Sequence, residues 1–394
     1  MTGIRRTAVV TVLGLILALP IATGGAASAT PGPSATAPSA SSDASAVQLE
    51  LPRPTGPHAV GVSTLHLVDE QRQDPWVPSA GPRQLMVSMY YPARPDTGVP
   101  APFMTTEEAS LFLQAKAPGA NVPAGVLAGT RTWAYTDARP THGRFPLVLL
   151  SPGFTLPRQT LTGLAEDLAS RGYAVALVDH TYEDSGTTFP DGRTLTCAVC
   201  DRIPGGFPAV EESRAADLSF VIDQLTHRHS QWRYARMIDR ERIGIAGHSA
   251  GGASAATTMV ADDRVRAGVN LDGTFDVQIP TIGLNGRPFM LLGAQADHSP
   301  GGQEDSWSTA WARLDGWKRW LLVAGAVHDS FTDLPDLAAQ VGLPSRGASI
   351  SGQRSEEITR TYVAAFFDQQ LKGIAQPLLD GPSPANPEVT FQQP

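Results

Sequence analysis

One serine in the chain sits in the pattern Gly247-His248-Ser249-Ala250-Gly251. A G-x-S-x-G motif on a tight strand-to-helix turn presents a serine hydroxyl for attack on a carbonyl carbon. In a sequence with 38 glycines the motif alone is weak, so its flanks decide. Ile243-Gly244-Ile245-Ala246 before it reads as a buried strand, and Gly251, Gly252, Ala253 and Ala255 open a helix of small residues after it. The turn pushes the hydroxyl outward, and small residues let helix and strand cross closely. The helix N-terminus adds backbone N–H groups and positive potential where an oxyanion would form. The plainer reading is a Gly-rich structural turn.

A nucleophilic serine needs a base, and the base needs an orienting acid. Nine histidines are available. His58, His66, His142, His180, His227 and His229 precede Ser249, and His248 adjoins it, which leaves His298 and His328. His328 follows the apolar run 320–324, in the kind of loop where site residues gather at the carboxyl edge of a parallel sheet. His298 abuts Asp297 and reads as a solvent-facing or turn-capping residue. For the acid, Asp272 ends the run 267–271 and Asp297 the run 289–293. Position alone leans slightly toward Asp297, and turn capping is the ordinary role for either.

These residues need a scaffold, and the hydrophobic pattern supplies one. Residues 84–91 alternate as a strand. Residues 105–117 read as a helix opened by a Thr105…Glu108 capping box. The continuous apolar runs 145–150 and 174–178 are strands buried on both faces. Helices are expected over 160–170, 211–225, 252–259 and 355–371, and further strands over 242–246, 267–271, 289–293 and 320–324. Strands alternating with helices imply a mostly parallel sheet covered on both faces, an α/β architecture.

Composition bounds the rest. Of 394 residues, 42% are hydrophobic and 17% charged, which suits a globular domain and excludes a coiled coil or an acidic disordered tail. A net charge of −8 with no basic cluster excludes nucleic acid as a partner. Arg5 and Arg6, an apolar stretch to Leu19, Pro20 and Ala27-Ser28-Ala29 read as a secretory signal peptide over 1–29. Residues 30–57, rich in Ala, Ser, Thr and Pro, read as a flexible leader, and 58–394 as a single catalytic domain that begins to fold near Val60. Cys197 and Cys200 are the two cysteines. A redox pair or half a zinc site is conceivable for C-x-x-C, but no further ligands lie nearby, and a local disulfide is the expectation in an exported protein. No cofactor or metal is implied.

Six segments stand out along the chain: Leu147 to Phe154 (LVLLSPGF), Asp167 to Tyr173, Val178-Asp179-His180, Asp239 to Ile243 leading into GHSAGG, Asn270-Leu271-Asp272-Gly273, and Val327-His328. Together they resemble the platelet-activating factor acetylhydrolase family of α/β hydrolases. The likeness spans about residues 84–333. It implies the α/β-hydrolase fold, Ser249 as nucleophile, His328 as base, and Asp272 rather than the runner-up Asp297 as acid. The oxyanion hole is expected to use the backbone N–H groups of Phe154 and Ala250. Pro152 departs from the family, where His often precedes this Gly. Pro-Gly here also resembles bacterial lipases and cutinase-type polyester hydrolases. The implied protein is a monomeric secreted esterase or lipase acting on small-molecule or lipid esters, with no stable membrane insertion. Alternatives are a polyester hydrolase or an acyltransferase on the same residues, or a non-catalytic binding scaffold. Phe154, Phe275 and Trp307 are candidates for an acyl pocket, residues 181–208 and 278–287 for lids.

Overall fold

Apolar runs without polar alternation demand strands covered on both faces, and the computed structural model, which describes residues 47–393, places them so. The strands are β1 (Ala59–Gln73), β2 (Pro82–Ala93), β3 (Val99–Pro100), β4 (Ala134–Thr136), β5 (Phe145–Ser151), β6 (Ala174–Val178), β7 (Thr187–Thr188), β8 (Thr194–Leu195), β9 (Ile238–His248), β10 (Val265–Leu271), β11 (Phe289–Ala294), β12 (Lys318–Val323) and β13 (Val389–Gln392). The helices are α1 (Thr106–Lys116), α2 (Ala124–Ala128), α3 (Thr162–Ser170), α4 (Gly206–Thr226), α5 (Ala250–Ala261), α6 (Gln295–His298), α7 (Ser306–Arg313), α8 (Leu334–Gln340) and α9 (Gly352–Lys372). Among the described residues, one 11-stranded sheet runs β13-β12-β11-β10-β9-β5-β6-β2-β1-β4-β3, and β7 pairs with β8. The six strands β12 to β6 in that order are parallel neighbours, bordered by antiparallel β13 and β2.

Alternation inside the buried strands explains their composition. Leu147 and Leu149 of β5 join the core under α4, α5 and α7, whereas Val148 and Leu150 join the core under α3 and α9. Chain order reverses between β5 and β9: the chain leaves β5 toward β6, then returns to β9 and continues to β12. The crevice outside the carboxyl ends of strands at such a switch point is where ligands bind in open α/β sheets.

Three sequence expectations change. The long antiparallel β1, which pairs with β2 over most of its length, was not anticipated, because its pattern is half-exposed and weakly alternating. Helix α4 begins at Gly206, ahead of the expected 211, because Pro208 fits a helix's first turn, where no intrahelical N–H is needed. Residues 49–56, expected as part of a flexible leader, are also packed against the domain. The expected signal peptide and residues 30–46 lie outside the described residues, but from Leu49 the chain is packed. Leu49 and Leu51 are buried with Phe103, Phe112, Leu127 and Leu337. Thr55 donates from N and Oγ1 to Asp167 Oδ1 (2.8 and 2.6 Å), and Gly56 N donates to Ser170 Oγ (2.9 Å). Two leucines diluted by Pro and Thr carry no periodic signal, yet they fill a slot.

Candidate active site

Ser249 joins β9 to α5 with φ 55° and ψ −126°, a conformation L-residues rarely adopt. Such strain costs about 1–3 kcal/mol and persists only where its surroundings enforce it. The enforcement is visible. Ser249 N donates to Leu271 O (2.8 Å) at the end of β10. A Cβ on Gly247 would collide with the Gly251 backbone, and one on Gly251 with the carbonyl of Ser151. Glycine is required at both positions because helix, strand and the end of β5 meet there backbone to backbone.

Asp272 follows β10 directly, again with positive φ (59°), and is buried. Its Oδ1 accepts from Ala294 N (2.6 Å), and its Oδ2 lies 2.7 Å from His328 Nδ1. A carboxylate only accepts, so Nδ1 carries the proton and Nε2 is left as the basic nitrogen. His328 opens a short 3-10 turn after β12, and its side chain is half-exposed. Burial pulls its pKa down, but the hydrogen bond and charge of Asp272 outweigh this, and the net shift is upward. The loop is docked on the elbow: His248 Nε2 donates to His328 O (2.8 Å), and the two rings lie 4.7 Å apart. Burial and the neighbouring His328 push His248 down to about 4, so it is neutral.

Asp297, the positional favourite, lies exposed on α6, and none of the side-chain hydrogen bonds among the described residues involves it. His298, expected to face solvent or cap a turn, is instead buried behind Asp272. Its ring stacks on Trp307 (3.9 Å between centroids, 9° between planes), with Nδ1 3.0 Å from Glu304 Oε2 and Nε2 3.5 Å from Asp272 Oδ1. No sequence spacing announces this contact, because Glu304 and Trp307 reach it by folding back from the loop and helix that follow. Trp307 and Phe275 belong to the core rather than to a pocket, and Trp307 Nε1 donates to Gly273 O (2.7 Å).

The backbone N–H groups of Phe154 and Ala250 donate to nothing among the described residues. Both lie beside the elbow, one after β5 and one at the first residue of α5. The half-buried Phe154 residue packs its ring edge-on against Phe207 of α4 (5.5 Å, 78°), a residue that stays 41% exposed. Cys197 and Cys200 are bonded to each other in the segment before α4. His180, a minor candidate from sequence, is fully enclosed and hydrogen-bonds Ser151 and Asp217. Among the described residues no helix is long and apolar enough to cross a membrane.

The family described as platelet-activating factor acetylhydrolase, isoform II, matches over residues 43–192 and 221–371. The chain belongs to this family. A probable 1-alkyl-2-acetylglycerophosphocholine esterase of Arthroderma benhamiae is 30% identical over 86% of this chain and 93% of its own. A bis(hydroxyethyl) terephthalate hydrolase of Streptomyces coelicolor is 26% identical over 46% of this chain and 52% of its own. The solved ferulic acid esterase from Streptomyces cinnamoneus superposes with a TM-score of 0.80 at 46% identity, covering 88% of this chain and 99% of that one. The fold is therefore that of the α/β hydrolases, and the protein is a carboxylic ester hydrolase. The match also extends beyond both ends of the 84–333 likeness read from sequence.

Proposed function

We propose that this esterase is exported and works through Ser249 as nucleophile, His328 as general base and Asp272 as the orienting acid. The observation that carries the reading is the 2.7 Å Asp272–His328 hydrogen bond in a loop docked on the strained elbow of Ser249. His328 Nε2 takes the Ser249 proton as Oγ attacks the ester carbonyl. Asp272 holds the tautomer and stabilises the imidazolium. The free amides of Phe154 and Ala250 receive the oxyanion. The tetrahedral intermediate collapses with loss of the alcohol, which His328 protonates, and water then releases the acid from the acyl-serine. The Cys197–Cys200 bond supports an oxidising destination.

The substrate reading is a compact acyl group, with aromatic acids favoured. It rests on the Phe154–Phe207 pair beside the oxyanion amides and on the ferulic acid esterase likeness. Ser249→Ala is expected to abolish turnover and fluorophosphonate labelling while leaving the fold intact. Asp272→Asn should lower kcat about 10⁴-fold, whereas Asp297→Asn should change it by no more than about twofold. Retained activity in Ser249→Ala sinks the proposal. A panel of methyl ferulate, acyl esters of two to sixteen carbons, an acetylated phospholipid and bis(hydroxyethyl) terephthalate, with and without an alcohol acceptor, separates the substrate classes and acyl transfer. No labelling of the native serine would instead mean a binding scaffold.

A further inference from the structure

The proposed oxyanion hole depends on one amide in an irregular loop, and a buried guanidinium grips that loop from behind. Arg214, 1% exposed, projects from α4 on the same face as Phe207, Glu211 and Leu218, four, three and four residues apart. Its Nη1 donates to Pro152 O (2.5 Å) and reaches Ser151 Oγ (3.4 Å), and its Nε donates to Glu183 Oε2 (2.7 Å). Glu183 in turn accepts Thr155 N at its own backbone carbonyl (2.8 Å). Thr155 has φ 70°, and Gly153 O accepts from Leu156 N (3.1 Å). In a trans peptide, C=O and N–H point opposite ways. Fixing the Gly153 carbonyl toward Leu156 therefore turns the Phe154 N–H to the other side, where it has no partner among the described residues. Arg214 fixes the peptide before it, and Glu183 fixes the residue after it.

Beneath the loop lies a second Ser–His–Asp chain. Ser151 Oγ is 2.9 Å from His180 Nε2, and His180 Nδ1 is 2.8 Å from Asp217 Oδ2. All three are buried, 0–2% exposed, so this chain reaches no substrate. Burial and the nearby Arg214 hold His180 below its ordinary pKa. The neutral ring donates from Nδ1 and accepts from Ser151, which leaves the Ser151 lone pairs to face Arg214.

We infer that Arg214 is a positioning residue for the oxyanion hole: through Pro152 O and the Glu183 ion pair it holds the Phe154 amide toward the reacting carbonyl. The inference rests on the Ser249 reading and on Phe154 as an oxyanion donor. Lysine keeps the charge but cannot fork to Pro152 O and Glu183 at once. Arg214→Lys is therefore expected to lose about 10²-fold in kcat, the cost of a displaced donor, with KM within about twofold. A trifluoromethyl ketone mimic of the substrate, which forms the oxyanion adduct on Ser249, should weaken by the same factor as kcat. The paired variant Arg214→Met/Glu183→Gln removes both buried charges together, avoids stranding one, and should show the same kcat loss. Full kcat and full ketone affinity in either folded variant overturn the inference, whatever happens to Tm. Ser249→Ala, run alongside, tells the two failures apart. If it is inactive while Arg214→Lys is fully active, only the positioning role falls. If it stays active, the serine mechanism falls first.

Discussion

Two buried polar clusters flank the site, and they solve the same problem in opposite ways. Beneath the oxyanion loop, acids and bases are matched: Asp217 faces Arg83 (2.7 Å to Nη2), His180 and Arg72, Asp74 faces Arg83 (2.9 Å), and Glu183 faces Arg214. Beneath the His328 loop the charges do not match. Glu166 of α3, Asp333 before α8 and Glu356 of α9 are buried with Arg360 as the guanidinium acting on all three. Glu356 Oε1 and Asp333 Oδ1 both come within 2.7 Å of the point a Cβ on Gly163 would occupy. Glu166 Oε2 and both oxygens of Glu356 have no hydrogen-bond partner among the described residues. In the first cluster Asp217 is held far below the carboxylate range: burial alone would raise its pKa, but Arg83, His180 and Arg72 override it. In the second, burial dominates and pushes Glu166 and Asp333 to about 8 and Glu356 to about 9. A pocket with enough cations keeps its charge; one with too few keeps its protons.

The sharpest way to break the contrast is to unbalance the matched side. Asp217→Asn takes the carboxylate from Arg83 and Arg72 at once, leaving buried Arg83 only Asp74 and Glu183 to face, and should cost about 3–5 kcal/mol in urea unfolding. A loss under about 1 kcal/mol would mean that the cluster is not a matched ion network. The pH response comes next. Asp217, depressed in the fold, contributes stability that is present in full above its unfolded pKa near 4 and lost progressively as pH falls from there toward its folded value. The raised acids do the reverse: their folded forms hold protons that the unfolded chain has released above pH 4. Stability should therefore fall as pH rises from about 4.5, where the unfolded acids ionise, to about 9, where the last of them ionises in the fold, by about 1.4 kcal/mol per pH unit for each excess proton. His328 and Glu211, both raised, add to the same limb. Thermal melts that stay flat or rise across that range would contradict the assignment. The smallest effect is the most selective: Glu356→Gln replaces a protonated acid with a near isostere. It should change stability by less than about 1 kcal/mol near pH 4, where the unfolded acid is still largely protonated, flatten the slope above that pH, and leave the variant more stable than the parent at pH 9.

The site and its surroundings were unequally legible in the sequence. The elbow could be read because close backbone approach demands glycine at fixed spacing, and Gly247 and Gly251 record that demand. The buried strands β5 and β6 were equally plain, since a strand covered on both faces has one composition. The acid was not decidable from position, because Asp272 and Asp297 end neighbouring strands. The family likeness pointed to Asp272, and folding brings Asp272, not Asp297, to His328. The two charge clusters were invisible. Arg83 and Asp217 are 134 residues apart, and no local period connects them. His298 was misread for the same reason, since a ring stacked on Trp307 leaves no trace in the residues beside it.

The packed segment from Leu49 to Gly56 bears on how the chain can be trimmed. It ties the start of the domain to α3 through Asp167 and Ser170, to α8 through Glu50 and Gln340, and to α9, where Arg360 Nη1 donates to Arg53 O (3.1 Å). Arg360 is the guanidinium that serves the acid cluster. A protease cutting upstream of Val47 would leave these contacts intact. One cutting after Arg53 would free Leu49 and Leu51 from their slot and loosen the carbonyl that braces Arg360, so the tolerated processing point lies ahead of the first buried leucine.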